Sequence, residues 1–414
     1  METGRRRRRV LEEETLLEIL ARLPLRSITR FKSVSKTWKS VIESAYFRRL
    51  FLSLHKNSSS SWSLMYLTQS LRPFTEFLGF HGCKTWDLPK SPGSYIFPLD
   101  EDPRFRRPLC CYIATSNGLI LMKVVHSLKT YVGNPVLRQW LEIPPPPKPC
   151  LATGLVTRVD EEDGVVSSFK VVMTCCSCQD METYEWTMYV YSSETGLWSF
   201  KRLLSSHMFH YSVSYHDSMS LNGMLYLWVR GLDTTEPGVL IAHDFYGSEA
   251  DDQCRVIPLP IPFNEHVRRC LTTSRGDVIY IEILDRRLKV WRLKNNKNSK
   301  SSECWQLSRE EINMTSVGFD VDCIPMAMNP FDSDIIYLWS LQHSCLVSCN
   351  LLTQEFIVHQ KLKNWSSKEG CYRINRYEFD SKRYMEVNHD VTKVHTLSQF
   401  VLPRWMDLVP RPPK

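Results

Sequence analysis

A turn followed by a short apolar strand recurs along most of this chain, and that recurrence limits the fold more than any other feature. It appears at Asn117-Gly118-Leu119-Ile120-Leu121, Asn222-Gly223-Met224-Leu225-Tyr226, Arg275-Gly276-Asp277-Val278-Ile279-Tyr280 and Asp332-Ser333-Asp334-Ile335-Ile336-Tyr337. Residues 118, 223, 276 and 333 stand 105, 53 and 57 apart, so the first gap spans two units. Phe169-Lys170-Val171-Val172-Met173 supplies the strand of the unit inside that gap. Each strand precedes a second signal: another strand, a polar turn, then an aromatic or apolar strand. Tyr131-Val132-Gly133-Asn134-Pro135 leads in this way to Trp140, Tyr189 to Gly196 leads to Trp198, His243-Asp244-Phe245 to Ile257, Leu288 to Trp291 to Trp305, and Val347 to Asn350 to Phe356. Four strands in about 50 residues have the dimension of one propeller blade. Residues 63–362 hold six such units, and 371–410 would add a closing strand or a further blade. A ring of blades has to close, because open first and last sheets expose pairing edges.

The first 54 residues read differently. Leu16, Ile19, Leu20 and Leu23 fall at helical spacing and form one apolar stripe. Glu12 to Glu14 stand in the first turn, where a helix dipole favours acids. Pro24 ends this helix, because the residue before a proline is driven out of the α region. Ser27 is placed to cap a second helix with Ile28 and Phe31, and a third helix carries Val34, Trp38, Val41 and Ile42. Three short helices cannot hide this much apolar surface from each other. The excess either packs on the rest of the chain or offers helical anchors to a partner protein.

Charge separates the same two parts. Of 52 basic and 45 acidic residues, the first 52 positions carry 13 and 6, leaving 39 of each sign in the remainder. The net +7 therefore belongs to the N-terminal segment. A neutral body does not supply the basic face that nucleic-acid binding needs. No stretch approaches the ~18 apolar residues of a membrane span. Arg5 to Arg9 run into Glu12 to Glu14 where a signal peptide would be apolar, so a cytoplasmic or nuclear protein with mostly reduced cysteines is expected. Arg5 to Arg9 form either a nuclear-localisation patch or a solvated tail.

Residues 16–38 closely resemble the F-box. The pattern is carried by Leu23-Pro24, Arg30-Phe31, Val34-Ser35-Lys36-x-Trp38, then Ile42 and Phe47, with Val10-Leu11 where the family often has Leu-Pro. The body resembles the F-box-associated or kelch-type region of the large plant F-box families. Asn134-Pro135 to Trp140, Phe169 to Val172 and Tyr191 to Trp198 carry that likeness, without the Gly-Gly pairs usual in kelch repeats. The expected architecture is a basic tail at 1–9, a three-helix F-box at 10–54, a Ser-rich hinge at 55–62, and an all-β, propeller-like domain of six or seven blades at 63–410. The whole is an α+β multidomain chain.

The resemblance implies a substrate receptor of a Skp–cullin–F-box ubiquitin ligase. Leu16, Leu20, Pro24, Leu25, Phe31, Val34, Trp38 and Ile42 would make or support the contact with a Skp-type adaptor, which brings cullin and a RING protein. The β body would select a protein target through loops on one face. Rival readings are a non-degradative F-box scaffold and a propeller enzyme. No phosphate-binding glycine loop, nucleophile elbow or His-Glu-x-x-His occurs. Cys175 and Cys178 form one Cys-x-x-Cys, whereas structural zinc needs four ligands, so buried thiols are expected instead. His207, His210 and His216 read as structural. The acids at 160–163 and 251–252 share solvated turns and lack the contrasting environments of an acid–base pair. Pro144 to Pro147 read as an inter-blade connection, and 294–300 as a hairpin tip. No catalytic residue, metal, cofactor, nucleic acid or membrane contact is expected.

Overall fold

The computed structural model describes residues 15–55, 62–66, 75–81, 110–124, 129–160, 164–175, 182–210, 218–229, 238–248, 252–260, 267–294, 304–314, 322–343, 345–359 and 394–413. The arginine run, Asn57 and the serines at 58–61, acids 161–163 and Asp251, Cys176, Cys178, His216, the lysine loop at 295–300 and residues 371–393 lie outside them.

Five four-stranded antiparallel blades follow one another along the chain. Blade 1 comprises β3 (Cys110–Ser116), β4 (Leu119–Val124), β5 (Thr130–Asn134) and β6 (Gln139–Ile143). Blade 2 comprises β7 (Cys150–Val159), β8 (Val166–Cys175), β9 (Glu182–Ser192) and β10 (Trp198–His210). Blade 3 comprises β11 (Ser218–Leu221), β12 (Met224–Val229), β13 (Val239–Asp244) and β14 (Arg255–Pro258). Blade 4 comprises β15 (Arg268–Ser274), β16 (Asp277–Leu284), β17 (Arg287–Leu293) and β18 (Trp305–Leu307), with the two-residue β19 (Ile312–Asn313) beside β17. Blade 5 comprises β20 (Cys323–Met328), β21 (Ile335–Ser340), β22 (Cys345–Asn350) and β23 (Phe356–His359).

The strand turns follow from their residues. Gly118, Gly223 and Gly276 take φ of +79°, +79° and +82°, each after a residue that is itself left-handed. A two-residue hairpin turn demands this, and glycine meets the demand without a Cβ clash. The turns between third and fourth strands use side chains: Asn134 Oδ1 accepts from the N–H groups of Val136 and Leu137 at 3.0 and 3.2 Å. Asn350 Oδ1 does the same for Leu352 and Thr353 at 2.9 and 3.1 Å.

The blade count corrects the spacing argument: among the described residues there are five four-stranded blades, not the six or seven expected. Beside them lies one three-stranded sheet, assembled from β1 (Trp62–Tyr66), β2 (Thr75–His81) and, from the other end of the chain, β25 (Ser398–Val401). β25 pairs antiparallel with β1, Trp62 facing Val401. Just before it, β24 (Val394–Thr396) pairs in parallel with β15, on the inner edge of blade 4. Gln399 ties this crossing to two blades. Thr273 Oγ1 donates to its Oε1 at 2.5 Å, and its Nε2 donates to the carbonyls of Thr273 and Met328 at 3.1 and 2.6 Å.

Apolar seams join every neighbouring pair of sheets. Leu121 and Val132 meet Leu155 and Val171, and Val172 and Met188 meet Leu225 and Ile241. Tyr226 and Leu240 meet Leu271 and Tyr280, and Ile281 and Val290 meet Ile336 and Leu338. Tyr337 and Trp339 then meet Trp62 and Leu64 of the closing sheet. A blade is covered on both faces, so its central strands are nearly continuous apolar runs.

Tryptophans on outer strands latch blade to blade. Trp198 Nε1 of blade 2 donates to the Pro144 carbonyl behind blade 1 at 2.9 Å, and Trp305 Nε1 of blade 4 to the Pro258 carbonyl of blade 3 at 2.8 Å. Residues 144–149 are thus an inter-blade connection, as their proline run suggested. Replacing Trp305 with Phe keeps an aromatic ring against Tyr280 (centroids 5.8 Å apart) and deletes the latch. We expect a loss of about 1 kcal/mol, read as a lowered urea midpoint with unchanged slope.

Candidate functional site

Four helical segments make up the N-terminal module: residues 15–21 (α1), α2 (Leu25–Phe31), α3 (Lys36–Ile42) and α4 (Ala45–Leu54). Two details differ from the sequence reading. Pro24 itself occupies the N-cap of α2, at φ −60° and ψ 145°, so α2 starts at Leu25 and Ser27 lies inside it. Glu43 and Ser44 then separate α3 from a fourth segment where three helices were expected, because the Ser44 hydroxyl accepts from the Phe47 N–H at 3.1 Å and starts α4. Ser35 caps α3 by accepting from the Trp38 N–H at 3.1 Å.

The module has two faces of opposite fate. On the inner face Leu20, Ala21, Leu25, Ile28, Ile42, Phe47 and Phe51 are all at most 1% exposed. They pack against Ile120, Met122 and Val124, the residues of β4 that point away from blade 2, and against Phe400 and Leu402. The C-terminal tail completes this contact. Trp405 lies between Phe47 and Phe51, with ring centroids 6.0 and 5.0 Å away. Thr29 Oγ1 donates to Met406 Sδ at 2.7 Å, and the half-buried Arg48 pairs with Asp407 at 3.2 Å. His55 Nε2 donates to the Ala21 carbonyl at 3.0 Å, holding the end of α4 to α1.

On either side of this contact the tail lies against turns of blades 1 and 2. A Cβ at Gly118 would stand 2.8 Å from Pro403, and one at Gly196 2.8 Å from Pro412. The Val409 N–H donates to Gln139 Oε1 at 3.2 Å. The tail is therefore a strap between the module and the two blades beneath it.

The outer face keeps apolar groups in water. Ile19 is 54% and Val34 59% exposed. Leu16, Leu17, Leu23, Pro24, Phe31, Trp38 and Val41 are half-buried, and all but Pro24 also pack in part against the inner core; the rings of Phe31 and Trp38 meet edge-on at 5.3 Å. The described part of the module carries Arg22, Arg26, Arg30, Lys32, Lys36, Lys39, Arg48 and Arg49 against Glu18 and Glu43. Arg22–Glu18 and Lys32–Glu43 are paired at 3.3 and 3.5 Å. An apolar, partly open surface bordered by excess positive charge suits an acidic protein with an apolar groove.

The eight residues singled out from the sequence divide between these faces. Leu20, Leu25 and Ile42 are sealed inside, while Leu16, Pro24, Phe31, Val34 and Trp38 stay accessible. Ile19 was read as one member of a helical stripe, and its exposure places it with the accessible set. Trp405 and Met406 carried no periodic signal, since they sit in a tail without helix or strand.

The space at the ring centre is about 50 Å³ and is lined by Ala114, Thr115, Ser218, Thr273, Ser398, Gln399 and apolar neighbours. Among the described residues no three His, Cys, Asp or Glu side chains gather as metal ligands. Cys270, Cys323 and Cys349 are buried in the seams, and burial pushes the Cys323 thiol up to about 12 and that of Cys349 to about 11. Among the described residues no helix is long and apolar enough to cross a membrane.

Comparison with known proteins agrees with this division. Residues 11–50 match the F-box domain, and residues 60–411 match the family described as F-box protein At3g26010-like, beta-propeller. The chain is 54% identical to F-box protein At1g49990 of Arabidopsis thaliana over the full length of both. It is 44% identical to the putative F-box/kelch-repeat protein At4g22430 from the same plant, over 97% of this chain and 93% of that one. With F-box protein At3g26010 it shares 43%, over 96% and 90%.

Trp405→Ala should cost about 3–5 kcal/mol by emptying the space between Phe47 and Phe51. Ile19→Ala and Val34→Ala should each change stability by no more than about 0.5 kcal/mol. Urea unfolding of the three variants checks the contrast, and W405A alone should make α4 (Ala45–Leu54) susceptible to limited proteolysis.

Proposed function

This chain belongs to the F-box proteins with an At3g26010-like β-propeller, and on that premise we propose that it is the substrate-receptor subunit of a Skp–cullin–F-box ubiquitin ligase. The observation that carries the proposal is the two-faced module: one apolar face is consumed by the propeller and its strap, and the other is left open in a basic surround. Ile19 and Val34 stand exposed on a module whose Phe31–Trp38 pair is only half-buried.

In this reading the outer face docks on an acidic Skp-type adaptor, through which cullin, a RING protein and a charged ubiquitin-conjugating enzyme are brought in. Leu16, Ile19, Pro24, Phe31, Val34 and Trp38 make the contact, while Leu20, Leu25 and Ile42 hold the module in place from behind. The chain breaks and forms no bond itself, and the matched families indicate no enzymatic class. Its contribution is proximity: a target lysine held near an activated thioester meets it at a high effective concentration. The propeller takes the protein target, and the complex works in the nucleus or cytoplasm.

Co-expression of the full chain with plant Skp-type adaptors tests the reading. Wild type should co-purify with an adaptor, and Ile19→Asp with Val34→Asp should weaken the complex at least ~10-fold, about 1.4 kcal/mol. Both positions are exposed, so the doubly substituted chain should unfold as wild type does. A wild-type chain that binds no Skp-type adaptor overturns the proposal.

A further inference from the structure

The first residue of β7 and the last residue of β8 are both cysteines, and they face each other. Cys150 and Cys175 are direct partners in the antiparallel register, and their Sγ atoms lie 3.6 Å apart. Facing Cα atoms on antiparallel strands stand about 4.5–5.5 Å apart, inside the ~4.4–6.8 Å that a disulfide spans. Both side chains are half-buried reduced thiols, so small oxidants reach them.

The surroundings hold the pair in register. Thr153 and Thr174 share a 2.6 Å hydroxyl hydrogen bond one step further into the sheet. Thr153 Oγ1 also accepts from the Thr174 N–H at 3.1 Å, and Trp186 Nε1 donates to Thr174 Oγ1 at 3.0 Å. Cys270, Cys304, Cys323 and Cys349, by contrast, are buried. Cys345 lies on β22, and β21 separates it from Cys323 on β20. Cys150 and Cys175 are the described cysteines that combine contact, register and access.

We propose that Cys150 and Cys175 are a redox modification site that closes reversibly to a cross-strand disulfide under hydroperoxide. One thiolate attacks the peroxide O–O bond and becomes a sulfenic acid, while the other peroxide oxygen takes a proton and leaves as alcohol or water. The second thiolate then attacks the sulfenic sulfur, the S–S bond forms, and hydroxide departs with a proton as water. Two thiols lose two electrons and two protons, and the peroxide bond receives the two electrons. A reducing dithiol reverses the step by exchange.

Position gives the modification its consequence. The β7–β8 turn lies at the end of blade 2 over which the strap passes, so Cys150 and Cys175 lie at the opposite rim. Cys150 directly follows the exposed proline connection of residues 144–149. Closing the bond ties that connection to the end of β8, on the face turned away from the strap.

Full-length protein treated with a small excess of hydrogen peroxide, then alkylated and mapped by peptide mass, tests the assignment. The expected product is a Cys150–Cys175 cross-link about 2 Da lighter than the two reduced peptides. It should revert with dithiothreitol, be absent from C150S and persist in C270S. A link that instead joins Cys176 or Cys178 to either residue overturns the proposal, as does oxidation of Cys150 only to sulfinic acid. Stoichiometric zinc retained by the untreated protein would also overturn it, because the thiolates would then be ligands.

Discussion

Ring closure is the constraint on which the rest of this structure depends. Each blade buries both faces, so every blade needs a neighbour, and the first and last neighbours must be supplied by the two ends of the chain. The C-terminal segment meets that need. β24 lines the inner edge of blade 4, Gln399 bonds to strands of blades 4 and 5, and β25 completes the sheet begun by Trp62 and Leu64. The same segment fills the ring centre, which is why only a small polar space is left there. A propeller closed in this way has its centre occupied by the segment that closes it.

The strap extends the same logic to the helical module. Four short helices cannot form a stable core alone, and here their inner residues share one core with β4 and with Trp405 and Met406. Removing apolar groups from water on one side is what allows apolar groups on the other to stay partly exposed without unfolding the module. The orientation of the outer face relative to the blades is then set by packing. An ion pair at Arg48 and Asp407 and the close fit of prolines 403 and 412 on two turn glycines add to it.

Much of this was legible in the sequence where local chemistry decides the conformation. Two-residue turns need left-handed backbone, so Asn117-Gly118 and Asn222-Gly223 announced their hairpins, and Asn134 and Asn350 announced theirs by hydrogen-bonding their own turns. The blade count was not legible, because the closing sheet is assembled from residues 62–66, 75–81 and 398–401, which no period connects. The helical stripe was legible at Leu16, Ile19, Leu20 and Leu23, but periodicity does not say what covers a stripe. Leu20 meets β4 and the tail while Ile19, one residue away, meets water. Pro24 shows a smaller failure of the same kind: a proline that ends one helix also served as the N-cap of the next, which left Ser27 without the capping role its type suggested.

The strap also imposes an order on the making of the molecule. The helices leave the ribosome well before the tail residues that complete the cover of their inner face. Some 350 positions separate Phe51 from Trp405. At roughly 5–20 residues per second, that is on the order of 20–70 s of elongation during which Leu20, Leu25, Phe47 and Phe51 lack the tail residues of their shared core. For that interval the inner face of the module is only partly covered, and synthesis of the strap brings the tryptophan that completes it. Chains that carry the strap and chains cut short before it therefore differ at the helices as well, and cellular quality control can read that difference as exposed hydrophobic surface.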